Sequence, residues 1–207
     1  MGLSLRNEVR QGIVQVVGLG DWYTLMKKGA QAVHSANPDA LVIVGGVNSA
    51  TDLAHNRKDS LDFSGWSGKH VWEFHAYEFT VTFHVNFGLC ALRKAAWGAF
   101  DGFLLTQGKE YTAPLILSEF GVGMSGGPND GLSDADHSYL SCLTGYMASN
   151  DADWAVWALQ GTYYARNGQT DYDETWGLLD KDWTTWRNSK FPGMLGQMWN
   201  VSQGPSQ

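Results

Sequence analysis

The sequence predicts an α/β fold built from parallel strand–helix units. Short apolar runs alternate along the chain with segments whose apolar residues recur at helical spacing. Two of the runs, ALVIVGG and APLILSEFG, are apolar almost throughout, which is typical of parallel strands that are buried on both faces. We therefore expect about five strands with four or five helices, forming a single domain over residues 1–207.

The first part of the chain contains three predicted strands and one helix. GLSLRNE, at 2–8, alternates apolar and polar residues and predicts a short strand. Residues 21–36 carry apolar side chains on one helical face, and the Asn-Pro pair that follows ends this helix. Strands are predicted over 40–46 and 70–77, with a polar loop over 48–69 between them.

The second part of the chain continues the same alternation of helices and strands. The predicted elements are a helix over 88–107, a strand over 113–121, a helix over 133–150, a strand over 153–161 and a final helix in the tail. A glycine-rich loop precedes the helix at 133–150. Ser133 and Asp136 resemble a capping box at the start of that helix, with Asp in place of the usual Glu.

The composition restricts the classes of partner. The chain has 207 residues, a formal net charge of −7 and a hydrophobic share of 43%. Nucleic acids and anionic lipids require basic surfaces, so an acidic chain argues against both and suits a neutral substrate. No apolar run is long enough to span a membrane, and MGLSLRNEVRQG lacks the apolar core of a signal peptide.

Ten tryptophans and two cysteines raise questions that the sequence leaves open. Most of the tryptophans are expected in the core, although some could form flat platforms for sugar rings. Cys90 and Cys142 could form one disulfide bond or remain two buried thiols. Both lie in predicted helices and buried thiols are common, which slightly favours the thiols.

Polar or aromatic side chains stand at the ends of four predicted strands. They are Asn7, Glu8, His75, Tyr77, Glu119 and Trp157. Strand carboxyl ends face the active site in a parallel α/β barrel. Structural alternatives stay open: a surface position for Glu8, a helix-facing or capping carboxylate for Glu119, and core positions for His75, Tyr77 and Trp157. Three further carboxylates are expected to be solvated or structural: Glu73, Glu78 and Glu174.

Two carboxylates on different strands fit glycoside hydrolysis. One acts as nucleophile and the other as acid/base, and the retaining version requires the two carboxyl groups about 5–5.5 Å apart. Neighbouring strand residues point to opposite faces. Asn7 and Glu8 can therefore both reach a site only if Glu8 lies where the regular alternation has stopped.

The order of these motifs resembles glycoside hydrolase family 5, the cellulase and mannanase family of the (β/α)8 TIM barrel. The motifs are LRNE, EFHAYEF, ILSEFG and WAVWALQG. The resemblance implies that the strands are about the fourth to the eighth of the barrel. The chain would then be an incomplete barrel and the carboxyl-terminal part of a catalytic domain.

The resemblance also implies a role for each motif residue. Glu8 would be the acid/base and Glu119 the nucleophile. Asn7 would bind the 2-hydroxyl of the sugar, Tyr77 would hydrogen-bond Glu119, and His75 would support the site. Trp157 would form the floor under the sugar, and the Trp157–Ala158 peptide bond is expected to be cis.

The function implied is that of a retaining hydrolase acting on β-linked glycans, in the manner of an endoglucanase. The resemblance implies neither a cofactor nor a metal, and it implies an extracellular parent protein. A non-catalytic carbohydrate-binding protein and an inactive truncated remnant are the alternatives. Open sheet edges invite pairing, so the incomplete barrel is also expected to self-associate.

Overall fold

The computed structural model describes residues 1–10, 19–78, 89–150, 152–160, 165–166 and 168–201. The strands are β1 (Gly2–Ser4), β2 (Leu41–Gly45), β3 (His70–Ala76), β4 (Leu115–Phe120) and β5 (Asp153–Trp154). The helices are α1 (Leu19–Ala36), α2 (Val47–Ala50), α3 (Cys90–Phe100), α4 (Asp134–Asn150), α5 (Phe191–Met194) and α6 (Gly196–Trp199). Short 3-10 turns cover Ala54–Arg57, Ser64–Trp66 and Gly102–Leu105.

The five strands form one sheet in the order β1-β2-β3-β4-β5. β1 pairs with β2 and β2 pairs with β3, both in parallel. The order follows the chain. The helices α1, α3 and α4 each stand between two successive strands, whereas short turns connect β2 to β3, where the sequence predicts a polar loop.

The chain divides into two compact units. The described residues of the first unit are 1–10, 19–75 and 95–118, and those of the second are 76–78, 89–94, 119–150, 152–160, 165–166 and 168–201. The prediction of a single domain stays a prediction.

Buried indoles organise the core of the first unit. Trp22, Trp66 and Trp72 are each at most 1% exposed. The Trp22 indole N–H donates to the Gly45 carbonyl oxygen over 3.1 Å and attaches α1 to β2. The Trp72 N–H donates to the Tyr111 carbonyl oxygen over 2.9 Å. Each indole therefore buries apolar area while its polar atom keeps a partner.

In the second unit, the start of α4 confirms the predicted cap. The Asp136 backbone N–H donates to the Ser133 hydroxyl over 3.1 Å, and that hydroxyl donates to the Asp136 carboxylate over 2.7 Å. The Asp therefore bonds the hydroxyl, whereas the Glu of an ordinary capping box reaches the N-cap backbone.

The cysteines correct the sequence interpretation. Cys90 and Cys142 form a disulfide bond between α3 and α4, so the slightly favoured pair of free thiols is wrong. The Cα atoms lie 5.5 Å apart, within the range for a bridge. Spacing along the sequence could not show this, because the two residues are 52 positions apart.

Three predicted elements are clearly shorter than expected, and one of them is the strand predicted over 2–8, which is regular only over Gly2–Ser4. The helix predicted over 88–107 is regular only over Cys90–Phe100, since Asp101 departs from helical geometry at φ −133°. The strand predicted over 153–161 is regular only over Asp153–Trp154. Trp157 still donates its backbone N–H to the Phe120 carbonyl oxygen over 2.7 Å, so the segment stays against the end of β4. None of the helices in the described residues has the length and hydropathy to cross a membrane.

Candidate active site

Glu8 lies in a turn beyond β1, and its backbone has left the strand. β1 ends at Ser4, and Glu8 has a φ of 43°, in the left-handed region. Non-glycine residues rarely adopt this conformation, and such residues concentrate at functional sites. The sequence required regular alternation to stop before Glu8 could share a site with Asn7, and the structure meets that condition. Asn7 itself is exposed.

The Glu8 carboxylate has a basic partner on each oxygen. Oε1 lies 3.3 Å from Nδ1 of His75, a residue of β3 that is 4% exposed. Oε2 accepts a hydrogen bond from Arg10 over 2.5 Å. The Glu8 side chain is only 16% exposed. The structure therefore brings Glu8 and His75 together and adds Arg10, which the sequence analysis missed.

A left-handed turn after β2 supports this segment. Asn48, Ser49 and Ala50 have φ values of 55°, 62° and 59°. The Ser49 backbone N–H donates to the Val9 carbonyl oxygen, and the Ser49 hydroxyl accepts from Arg10, both over 3.1 Å. The sequence showed only a polar loop here. Asn48 is of a residue type that often marks φ > 0, but Ser49 and Ala50 carry no such local signal.

In the second unit, Tyr77 and Glu119 form the hydrogen bond expected of them. The Tyr77 hydroxyl donates to Oε2 of Glu119 over 3.0 Å. Glu119 is half-buried near the end of β4, and Tyr77 lies just after β3. A hydroxyl that donates to one oxygen of a carboxylate restricts the orientation of that carboxylate.

Trp176 packs against the same group and was not identified from the sequence. Its ring lies edge-on to Tyr77 at a centroid distance of 5.6 Å. A Cβ placed on Gly121 would lie 3.1 Å from the Trp176 ring and 2.5 Å from the Trp157 carbonyl oxygen. Gly121 therefore allows both tryptophans to approach the end of β4. Its position directly after the buried run is the signal that could have indicated this.

Trp157 lies beside the end of β4 and is 41% exposed. The Trp157–Ala158 peptide bond is cis, which confirms the expectation. An exposed indole on a segment bonded to the strand that carries Glu119 is available as a flat contact surface.

The remaining carboxylates are structural in this fold. Glu73 is 3% exposed and accepts a hydrogen bond from the Ser4 hydroxyl. Glu174 is 7% exposed and pairs with Arg166 over 2.6 Å.

Nη2 of Arg93 donates to both oxygens of the Glu78 carboxylate, over 2.8 and 3.0 Å. Burial raises the pKa of Glu78, while the adjacent Arg93 opposes that shift and Asp136 adds to it. This pair holds the segment directly after Tyr77, so it supports the position of the tyrosine.

The cellulase model of glycosyl hydrolase family 5 matches residues 1–162. The chain belongs to glycosyl hydrolase family 5. A relative described as a glycosyl hydrolase 5 family protein from Chamaecyparis obtusa is 32% identical over 99% of this chain and 36% of its own length. An endoglucanase of Paenibacillus polymyxa is 26% identical over 86% of this chain and 44% of its own length. The chain thus spans less than half the length of each of these two relatives.

The fold agrees with this family. The catalytic domain of the major endoglucanase from Xanthomonas campestris pv. campestris superposes with a TM-score of 0.71 at 20% identity, covering 97% of this chain and 57% of that one. Together with the five-stranded sheet, this likeness supports an incomplete (β/α)8 barrel of family 5. The assignment of the strands as fourth to eighth stays a prediction.

Proposed function

We propose that this protein is a retaining glycoside hydrolase that cleaves β-linked glucan, with Glu119 as nucleophile and Glu8 as acid/base. The observation that carries the proposal is the hydrogen bond from Tyr77 to Glu119 at the end of β4, in a chain of family 5. The names of two similar proteins, both endoglucanases, favour an endo-acting enzyme.

The proposed reaction has two steps. The Glu119 carboxylate attacks the anomeric carbon while Glu8 gives its proton to the departing glycosidic oxygen. A covalent glycosyl ester forms on Glu119, and the aglycone leaves as an alcohol. Glu8 then removes a proton from water, whose oxygen attacks the same carbon and releases Glu119. Two inversions give net retention at the anomeric centre.

The other site residues support binding and orientation. His75, at 3.3 Å from Glu8, holds the acid/base in place. Tyr77 orients Glu119 and keeps a hydrogen bond on the oxygen that does not attack. The exposed face of Trp157 stacks under the sugar, and Asn7 binds its 2-hydroxyl.

The whole protein is proposed to be longer than this chain and to act outside the cell. The chain spans 36% and 44% of two relatives, which supports the first part of this proposal. A disulfide bond between Cys90 and Cys142 supports the second, since such bonds persist in oxidising compartments. Self-association of the isolated chain remains a further proposal.

A mechanism-based label tests the nucleophile directly. The chain is incubated with an aryl 2-deoxy-2-fluoro-β-cellobioside, whose glycosyl ester hydrolyses slowly, and the peptides are then weighed by mass spectrometry. We expect one added sugar on the peptide that contains Glu119, and none in Glu119→Gln. Glu174→Gln is the matched control, because Glu174 pairs with Arg166. A label on another carboxylate would refute the assignment of Glu119.

Turnover is measured on a panel of soluble β-glucans, mannan and aryl β-glycosides, with the chain alone and with the amino-terminal part of a family 5 relative supplied. Hydrolysis that Glu119→Gln abolishes supports the proposal. Glucan binding without hydrolysis under both conditions would instead favour a carbohydrate-binding protein.

A further inference from the structure

A hairpin near the carboxyl end of the described chain presents two exposed indoles. We call Leu178–Arg187 the Trp hairpin. The Arg187 backbone N–H donates to the Leu178 carbonyl oxygen over 2.8 Å. The Asp180 backbone N–H donates to the Thr185 carbonyl oxygen, also over 2.8 Å. Trp183 and Trp186 are each 45% exposed, whereas Leu178 at the base is only 8% exposed. The hairpin therefore buries its base and exposes nearly half of each of its two indole side chains.

Hydrogen bonds fix the tip of the Trp hairpin. The Asp182 carboxylate accepts from the backbone N–H groups of Thr184 and Thr185 over 2.9 and 2.8 Å, and from the Thr185 hydroxyl over 2.6 Å. Trp183 has a φ of 61°, in the left-handed region. A bulky residue held there is uncommon and tends to mark functional positions. An indole on a fixed backbone loses little conformational entropy when it binds a ligand.

The Trp hairpin is attached to the segment that carries Trp157. The Leu178 backbone N–H donates to the Ala158 carbonyl oxygen over 2.9 Å. A Cβ on Gly177 would lie 1.9 Å from the Gln160 carbonyl oxygen, so only glycine permits this close approach. Trp157, next to Ala158, is 41% exposed. The base of the Trp hairpin is thus hydrogen-bonded to the residue that directly follows Trp157, the proposed sugar platform.

We propose that the Trp hairpin is a second binding surface for a neutral β-linked glucan chain, with Trp183 and Trp186 stacking against sugar rings. The ligand class rests on the proposed function. Flat indoles match the apolar faces of β-linked sugar rings, and the neighbouring Asp and Thr side chains accept hydrogen bonds from hydroxyl groups. The formal charges of Asp180 and Asp182 are balanced by Lys181 and Arg187, so the Trp hairpin has no net charge, which suits a neutral ligand in a chain whose net charge is −7.

Affinity electrophoresis through a gel that contains soluble, neutral β-glucan tests the proposal. The variants are made in a Glu119→Gln background, so that the polymer is not cleaved. We expect Trp183→Ala with Trp186→Ala to weaken glucan retardation about tenfold or more. Trp199→Ala is the matched control, because Trp199 is 55% exposed in the same unit but packs on Trp154. A gel with dextran, an α-linked glucan, should retard none of the proteins.

Oxidation of the unmodified chain by N-bromosuccinimide gives a second test that needs no substitution. We expect the β-glucan to protect the peptide with Trp183 and Trp186, and to leave Trp199 reactive. Equal oxidation with and without glucan would refute the hairpin site, as would equal retardation of the double variant. A change in oligomeric state in the double variant, with glucan binding intact, would refute it in favour of a contact between two copies of the chain.

These outcomes separate the hairpin from the proposed function. If hydrolysis depends on Glu119 but glucan binding is unchanged in the double tryptophan variant, the hairpin proposal is refuted and the proposed function is not. If the hairpin binds glucan and no substrate is cleaved, the proposed function fails alone.

Discussion

The Tyr77 hydroxyl donates a hydrogen bond to Oε2 of Glu119 over 3.0 Å, and the Trp176 ring packs edge-on against Tyr77. The tyrosine is therefore held from one side by an aromatic contact and binds the proposed nucleophile on the other. This arrangement fixes the orientation of the Glu119 carboxylate through the oxygen that accepts the bond.

Replacing Tyr77 by Phe removes the hydroxyl and keeps the ring that Trp176 contacts. A hydrogen bond to a charged group contributes about 1.5–3 kcal/mol, so kcat/KM on an aryl β-glycoside should fall about tenfold to a hundredfold. Tyr111→Phe is the control, since the Tyr111 ring packs on Phe103 in the first unit. An unchanged kcat/KM for Tyr77→Phe would remove the tyrosine from the proposed mechanism.

Replacing Gly121 by Ala should destabilise the second unit. The added Cβ would lie 2.5 Å from the Trp157 carbonyl oxygen, so the backbone must move. We expect a loss of about 1–3 kcal/mol in the free energy of unfolding, measured by urea denaturation. Gly193→Ala adds a methyl group where nothing lies within 4 Å, and it should be tolerated. Equal stability of the two variants would contradict the close approach.

Removing Arg93 should leave the Glu78 carboxylate partly buried without its cation. Arg93→Leu is expected to lower the free energy of unfolding by about 3 kcal/mol at neutral pH. Burial raises the pKa of Glu78, so this carboxylate takes up a proton as the pH falls. The difference in the free energy of unfolding between Arg93→Leu and the parent should then become smaller. The exposed pair of Lys27 and Asp62 is the comparison: Lys27→Ala should cost less than about 1 kcal/mol. A difference in the free energy of unfolding that does not change with pH would contradict this explanation.

Asp101 should make the stability of the first unit depend on pH. Burial, with the neighbouring Asp52 charge, raises the pKa of Asp101 well above its usual 3.8. Among the described residues, its Oδ1 has no hydrogen-bond partner. The unfolded chain loses this proton near the usual value and the folded chain keeps it. The free energy of unfolding therefore falls as the pH rises above about 4, by at most about 1.4 kcal/mol per pH unit from this group.

Asp101→Asn should remove that slope and gain stability relative to the parent as the pH rises from 4 to 7. The free energy of unfolding of the parent and of the variant is measured by chemical denaturation at each pH. Asp39→Asn, at an exposed carboxyl, should retain the parental slope. If Asp101→Asn and the parent lose stability in parallel with pH, Asp101 is not the responsible group.

The disulfide bond should contribute substantially to stability. Closing a loop between residues 52 positions apart is worth about 4 kcal/mol in the chain-entropy description. Cys90→Ser with Cys142→Ser should therefore lower the free energy of unfolding by about that amount. Reductant should shift the urea midpoint of the parent and leave the double variant unchanged. A parent insensitive to reductant would argue against the bond.

Much of the architecture follows from patterns within short stretches. The helix at Leu19–Ala36 and the strands at Leu41–Gly45 and Leu115–Phe120 lie where local periodicity predicts them. The Ser133 cap is also local, because both partners lie within one helical turn. These elements form through contacts between residues that are near neighbours in the chain. The helical spacing or the strand alternation of the apolar residues therefore predicts them.

Long-range packing decided the rest. Of the ten tryptophans, Trp22, Trp66 and Trp72 are fully buried, whereas four others are 41–55% exposed. The sequence analysis expected most of them in the core but could not say which ones. The bond between Cys90 and Cys142 and the pair of Glu78 with Arg93 likewise join groups that lie far apart in the chain and whose spacing carries no periodic signal. Which surfaces meet depends on how complete elements pack, so the chemistry of these contacts becomes visible only once the chain has folded.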